Sequence, residues 1–399
     1  MGKVAVRYQR PKTFRRYLWW VLGVLLIFAA YLQLAGHSYF WTALRYTYLS
    51  GHNTAHIDDA RNFAQAPIRG GAEQAWVKAP RQAVLSSSMQ SYLQSHQTAA
   101  FLVAHQGRLL HETYFAPYNV DSRTNVFSMA KTLTTLLLGA AVDDNFIPSA
   151  QAPVGPWLPE YANHPRGKKA TLAQLSAMTS GHEWSENYYL PLNPTTELYF
   201  GGRVQDTVLR YGFERTPGTE YEYNSASTQL LGIALQRALQ QKRAQVTLSD
   251  YLSQKLWQPL GLADATWSLD RPREDGGMEM AYCCVHARAR DMLRVGQLLL
   301  QNGEWNGQQL VPASFVQMMS QPNGYVRYYG HSLWTDPDAT EPFYFMQGHL
   351  GQYVIVIPSK QLVVLRTGQY RTMDTDQHPV IPQEVYLYVQ EALRMLSAQ

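Results

Sequence analysis

With 399 residues, 46% of them hydrophobic and 12% aromatic, the chain has the bulk for one large or two modest globular domains with a real core. Its formal charge of +4 sits in one place: residues 1–16 hold Lys3, Arg7, Arg10, Lys12, Arg15 and Arg16 and no acid, so the remainder carries 34 − 6 = 28 basic against 30 acidic side chains. That balance leaves no electrostatic footprint for nucleic acid beyond the tail.

The basic tail, 1–16, is followed by an uncharged apolar segment from Tyr17 to Leu34 with Trp19, Trp20 and Tyr31 near its ends. Its length is close to the minimum for crossing a bilayer, and the aromatic residues fit an interfacial belt. The expectation is a single-pass signal anchor over 17–36 in the inner (cytoplasmic) membrane, with residues 1–16 cytoplasmic and the body extracytoplasmic, or periplasmic. A cleaved signal peptide competes, but the apolar region is long for one and no clear small-x-small cleavage site follows.

Residues 37–97 read as a connector of helical fragments and polar stretches, broken at Arg69-Gly70-Gly71. His52 and His56 stand four apart, with Asp58 and Asp59 after them. On a helix they could chelate a metal; without a third ligand pattern, solvated polar side chains are the expectation, with no metal and no cofactor. The folded body, 98–399, opens with two β-type runs, 99–105 and 108–114, about Gln106-Gly107, which predicts a hairpin. An apolar helical run, Leu133 to Val142, follows. Thr171 to Met178 is a short helix closed by Ser180-Gly181, and His182 to Pro194 is an aromatic and polar loop that either lines a site or covers the core. Helical patterns recur around Leu230–Leu235, over Leu248–Gly261 and over Ala289–Leu300. Strands return at 343–348, 352–357 and 362–365, and a helix over about 382–396 closes the chain. Strands at both ends around a helical middle predict an α+β fold: an antiparallel sheet built from N- and C-terminal strands, flanked by helices, with a helical insertion at about 140–290. Cys283 and Cys284 are adjacent and are the only cysteines. Neighbouring cysteines bridge only with backbone distortion, so two small buried side chains are expected rather than a disulfide.

Chemistry concentrates at Ser128-Met-Ala-Lys131, at the mouth of the apolar helix. Positions i and i+3 share a helix face, which sets the Lys131 amine beside the Ser128 hydroxyl. A lysine whose charge is disfavoured by burial can take the serine proton, and a serine in the first turn has a backbone N–H free for a developing oxyanion. A serine with a lysine three residues later also arises by chance, and a surface pair is the bland alternative.

Several stretches from about residue 80 onward together resemble the serine β-lactamase and penicillin-recognising superfamily, in its class C-like branch, and within that the aminohexanoate-dimer (nylon oligomer) hydrolases and related esterases. Ser128-Met-Ala-Lys131 is similar to the family's nucleophile and lysine, Tyr223-Asn-Ser225 to its tyrosine-x-asparagine element, and His349-Leu-Gly351 to its lysine-threonine-glycine element, in the same order. The resemblance implies a β-lactamase-like fold and a cofactor-free serine hydrolase. Ser128 would attack a carbonyl, and Tyr223, held near its phenolate form by Lys131, would take the proton and pass it to the leaving group. The backbone N–H groups of Ser128 and Gln352, the latter on an edge strand, would form the oxyanion hole. Tyr188, Ser225, His349 and Gly351 would contact substrate, Tyr188 being preferred to Tyr189. His349 in place of lysine weakens carboxylate recognition and Ser225 replaces an amide side chain, so a small ester or amide is expected as substrate rather than a β-lactam. A D-alanyl-D-alanine peptidase and a non-catalytic penicillin-binding-like sensor are the alternatives.

Overall fold

The computed structural model describes residues 12–371 and 380–397; the basic tail expected over 1–16 lies largely outside them. Helix α1 (Lys12–Leu34) exposes nearly all of its apolar side chains, and Phe14–Leu34 is long and apolar enough to cross a bilayer, a property that membrane anchors and signal sequences share. Its end is fastened to the body. Leu32 is fully buried, and Phe28 meets Phe40 edge-on, 5.7 Å between ring centroids, where α2 (Tyr39–Tyr46) begins.

The stretch read as a connector is packed onto the body through α2, β1 (Ala64–Ile68) and α3 (Ser87–Ser95). The predicted hairpin follows as β2 (Thr98–His105) and β3 (Arg108–Tyr114), then the short β4 (Arg123–Asn125) and α4 (Met129–Asp143), whose side chains are almost all buried. A helical stretch comes next: α5 (Leu172–Ser176), α6 (Pro194–Phe200), α7 (Val204–Leu209), α8 (Ser225–Lys242) and α9 (Leu248–Leu252), the last running on into a single π-turn. After β5 (Ala265–Leu269), β6 (Val285–Arg288) and α10 (Ala289–Leu300) there is a small ribbon, β7 (Glu304–Trp305) with β8 (Gln308–Gln309), and then α11 (Ala313–Ser320). The chain ends in β9 (Trp334–Asp336), β10 (Phe343–Gly348), β11 (Gln352–Ile357), β12 (Leu362–Gly368) and α12 (Gln383–Ser397).

The main sheet is antiparallel, in the order β3-β2-β12-β11-β10-β9, so strands from the two ends of the body meet where β12 pairs with β2. Successive side chains of a strand point to opposite faces, and both faces here are covered. Leu102, Val354, Val363 and Leu365 join the core under α4, α8 and α10, while Phe101, Val103, Ile355 and Val364 pack with α3 and α12. This explains why β11 is buried at every position and reads as an unbroken apolar run rather than an alternation. A second antiparallel sheet, β1-β5-β6-β4, was not anticipated. It places β4, and with it the turn that leads to Ser128, against β6.

Two sequence expectations are corrected. Cys283 and Cys284 are joined by a disulfide; Cys284 takes a positive φ of 73°, which turns its side chain toward its neighbour's. Asp59, expected to be solvated, is buried: its carboxylate accepts from Tyr199 Oη at 2.5 Å and from Asn125 Nδ2 at 3.1 Å. His52 and His56 stack on each other, 4.0 Å between ring centroids, and no metal-ligating cluster occurs among the described residues.

Candidate active site

Between β4 and α4 the backbone is forced into an unusual turn. Asn125 Oδ1 accepts from Phe127 N at 2.8 Å, and Phe127 is held at a φ of +46°, a region that non-glycine residues occupy only where their surroundings impose it. Ser128 follows, immediately before α4, with a backbone N–H that takes no backbone acceptor among the described residues. Its side chain is part-exposed at the junction of two cavities of about 280 and 480 Å³.

Lys131 lies one turn along α4 and is 1% exposed. Its Nζ is 2.9 Å from Ser128 Oγ, 3.1 Å from Ser225 Oγ and 3.0 Å from the Tyr282 carbonyl. Burial pushes the ammonium down from 10.5 to about 8, with Glu186 pulling the other way. A neutral amine has two N–H groups and one lone pair. The Tyr282 carbonyl can only accept, and Ser225 Oγ also accepts from lysine because its own proton goes to Glu186 Oε1, 2.7 Å away. As an ammonium Lys131 donates to Ser128 Oγ as well; in the neutral form those two acceptors can take both N–H groups, which leaves the lone pair for the Ser128 proton.

Tyr223 does not fit the role the resemblance implied. Burial first and Glu186 second push its phenol above the ordinary value, against smaller lowering by Ser128 and Arg371. Lys131 Nζ faces the ring, 5.1 Å from its centroid, rather than pairing with a phenolate. The physical reason is that burial disfavours the charged phenolate, and the Glu186 carboxylate disfavours it further.

Ser225 is the first residue of α8 and is buried; its neighbour Asn224 caps the helix by accepting from Ser227 N at 2.7 Å. Four donors converge on Glu186: Ser225 N and Oγ, Tyr188 Oη at 2.5 Å and Trp184 Nε1 at 2.9 Å. Sequence reasoning passed over Glu186, although it is the one acid between Trp184 and Pro194 in the loop singled out as site-lining. Tyr188 and Tyr189 both line the two cavities, and the Tyr188 ring lies 5.3 Å from His349. His349 is pushed down to about 4, chiefly by burial, and its Nε2 is 3.0 Å from Thr54 Oγ1. It is therefore neutral at pH 7.

Gln352 does not stand on an edge strand. It lies on β11, inside the sheet between β10 and β12, with its side-chain amide bound to Gly368 and to the His349 carbonyl. Gly348 and His349 line the larger cavity beside Ser128, and Gly348 packs so near Val126 that a Cβ would come 2.3 Å from the Val126 carbonyl oxygen. Gly351 has a φ of +80° at the turn between β10 and β11, where the buried Arg366 guanidinium binds its carbonyl and that of Leu350. Its place is behind the cavity wall.

A family model described as Beta-lactamase matches residues 85–378. A 6-aminohexanoate-dimer hydrolase of Paenarthrobacter ureafaciens is 30% identical over 240 residues, which are 57% of this chain and 58% of that protein, so the chain spans somewhat under two thirds of the relative's length. Among solved structures, a Bacillus anthracis protein described as a candidate 6-aminohexanoate-dimer hydrolase superposes with a TM-score of 0.69 at 21% identity, covering 84% of this chain and 90% of that one. A class C β-lactamase of Rhodobacter sphaeroides gives 0.54 at 17% identity, over 78% of this chain and 98% of that one. The fold is the one these solved structures share. The chain belongs to the β-lactamase family.

Proposed function

We propose that this chain is a membrane-anchored, extracytoplasmic hydrolase of small esters or amides that works through an acyl-enzyme on Ser128. The observation that carries the reading is the three-way environment of Lys131 Nζ, which leaves its lone pair to Ser128 Oγ at 2.9 Å. In the first step the Ser128 proton passes to Lys131 as Oγ bonds to the substrate carbonyl carbon. The carbonyl oxygen, now an oxyanion, is met by the N–H of Ser128 and by that of His349, which replaces Gln352 in this role. The protonated Tyr223 phenol gives its proton to the leaving group as the C–O or C–N bond breaks, and is refilled from the Lys131 ammonium through water that enters as the leaving group departs. Water, deprotonated in turn by Lys131, then releases the acyl group. Ser225 and Glu186 position Lys131 rather than touch the substrate.

One observation favours a second reading, a carboxypeptidase acting on D-alanyl-D-alanine peptides: Arg371 lines the larger cavity beside Tyr223 and supplies the cation that neutral His349 does not. Labelling with a fluorophosphonate probe and turnover of p-nitrophenyl acetate test the central claim. Wild type should show both and Ser128→Ala neither, with thermal unfolding unchanged; turnover surviving in Ser128→Ala removes the serine from the mechanism. Release of D-alanine from a D-alanyl-D-alanine peptide separates the two readings.

A further inference from the structure

The segment that directly follows α1 supplies one wall of the smaller cavity. Phe40, Ala43, Leu44 and Thr47, all on or just after α2, form its roof, while Phe127 and Ser128 sit at its floor. α2 is not loosely laid on: Ala43 and Tyr39 are buried, and Thr47 Oγ1 donates back to the Ala43 carbonyl at 2.6 Å. Only residues 35–38 separate α2 from α1, and the Phe28–Phe40 contact fixes the junction. The rim carries exposed apolar side chains, with Tyr48 on one side at 62% exposure and Tyr189 and Leu190 on the other, each at 54%. Exposed apolar side chains gathered around one opening mark an interaction surface rather than scattered surface residues. The two cavities also divide the labour, since Tyr223, which serves the leaving group, lines the larger one and not the smaller.

Resting on the acyl-enzyme reading above, we infer that the smaller cavity is an acyl pocket, roofed by the helix next to the apolar anchor and opening among apolar side chains there, and that the substrate is an ester or amide of a medium-length unbranched acyl chain. A volume of about 280 Å³ divided by roughly 30 Å³ for each water-sized group gives room for about eight to ten carbons. Such amphiphiles come from a bilayer or from solution. Delivery from the bilayer would pass the exposed Tyr48 and Leu190 at the mouth, on the body next to α1.

A series of p-nitrophenyl esters from acetate to tetradecanoate, given to the full chain, tests this. Selectivity, kcat/KM, should climb by up to about fourfold for each methylene buried, peak near eight to ten carbons and fall beyond. Ala43→Trp fills the pocket and should lower the octanoate-to-acetate ratio of kcat/KM at least tenfold. Phe40→Ala, which opens the roof without overpacking, should move the optimum at least two carbons longer. Equal selectivity at all lengths, or an optimum that neither substitution moves, overturns the inference even though Ser128-dependent acetate turnover continues; loss of turnover on every ester would instead overturn the acyl-enzyme reading itself. Running the series on phosphatidylcholine vesicles carrying the full chain, and again in detergent, distinguishes the sources. A gain on vesicles that grows with chain length assigns the bilayer, and equal profiles assign soluble esters.

Discussion

Replacing Glu186 by glutamine preserves its shape and removes its charge, and the geometry fixes what should follow. Lys131 Nζ reaches Ser225 Oγ at 3.1 Å and Ser225 Oγ reaches Glu186 Oε1 at 2.7 Å, so the amine and the carboxylate are at most about 6 Å apart. At an effective dielectric of about 20, opposite charges at roughly 6 Å attract by about 3 kcal/mol, which equals about two pH units in the titration of Lys131. Glu186 opposes the burial that already brings Lys131 to about 8. Without the carboxylate, burial acts unopposed and neutral lysine persists at lower pH. For wild type, kcat/KM should rise with pH through about 8, as the base must be neutral to accept a proton. In Glu186→Gln that rising limb should move toward acid by as much as about two pH units, whatever happens to the plateau. The assay is a pH profile of kcat/KM on an ester whose leaving group does not titrate in the range. A lowered plateau with an unmoved limb would mean that Glu186 only braces the loop, or that the titrating base is not Lys131, and the mechanism would have to be redrawn.

Asp59 supplies a stability prediction with the opposite habit from most acids. Burial lifts its carboxyl from 3.8 to about 6 in the folded chain, so the native state binds a proton that the unfolded state has released. Its contribution is therefore full below pH 4 and declines as pH rises to about 6, by about 3 kcal/mol in total. Urea unfolding at pH 4 and 7 should show wild type losing stability relative to Asp59→Asn over that interval, and parallel curves for the two proteins would refute the buried titration. Gly351→Ala forces a φ of +80° on a residue with a Cβ that would lie 2.5 Å from Arg366 Nη1. A cost of about 2–4 kcal/mol follows from the strained backbone and the disturbed guanidinium bonds, read by denaturant titration; a cost below about 0.5 kcal/mol would show the turn to be pliable. Arg371→Ala should leave neutral esters unaffected and weaken only substrates whose leaving group bears a carboxylate, by about tenfold or more in KM at the strength of one charged hydrogen bond.

What could be read along the chain follows from how local each signal is. The hairpin of β2 and β3 rests on two apolar runs with a turn between them, α10 on its amphipathic period, and β10 to β12 on short apolar runs, and all stand where their residues placed them. The pairing of β12 with β2 was legible only as strands at both ends of the body. The second sheet was not legible, because β1 is five residues of Ala-Gln-Ala-Pro-Ile with little β-type patterning and gains its place from pairing with β5. At the site, Ser128 and Lys131 could be paired from their spacing on one helix. The upward push on the Tyr223 phenol could not, since it depends in part on Glu186, which folding brings from 37 residues before Tyr223 to the start of α8. Asp59 was hidden for the same reason: among His52, His56 and Asp58 it looks like one more surface polar residue, and only its partners Tyr199 and Asn125, 140 and 66 positions away, reveal it as buried.

Asp59 grips Asn125, and Asn125 in turn holds the twisted Phe127 peptide from which Ser128 follows. The family match begins at residue 85, after Asp59 and after the whole of β1. A fragment cut at that limit would discard the brace under its own reactive turn and strip β5 of its neighbour, leaving an amide and a strand edge to find other company. The smallest piece that can keep this serine poised must start upstream of Ile57, whose carbonyl also receives the Asn125 N–H. In this protein the stretch nearest the apolar helix is therefore part of the working apparatus, not a tether that a protease could shorten without consequence.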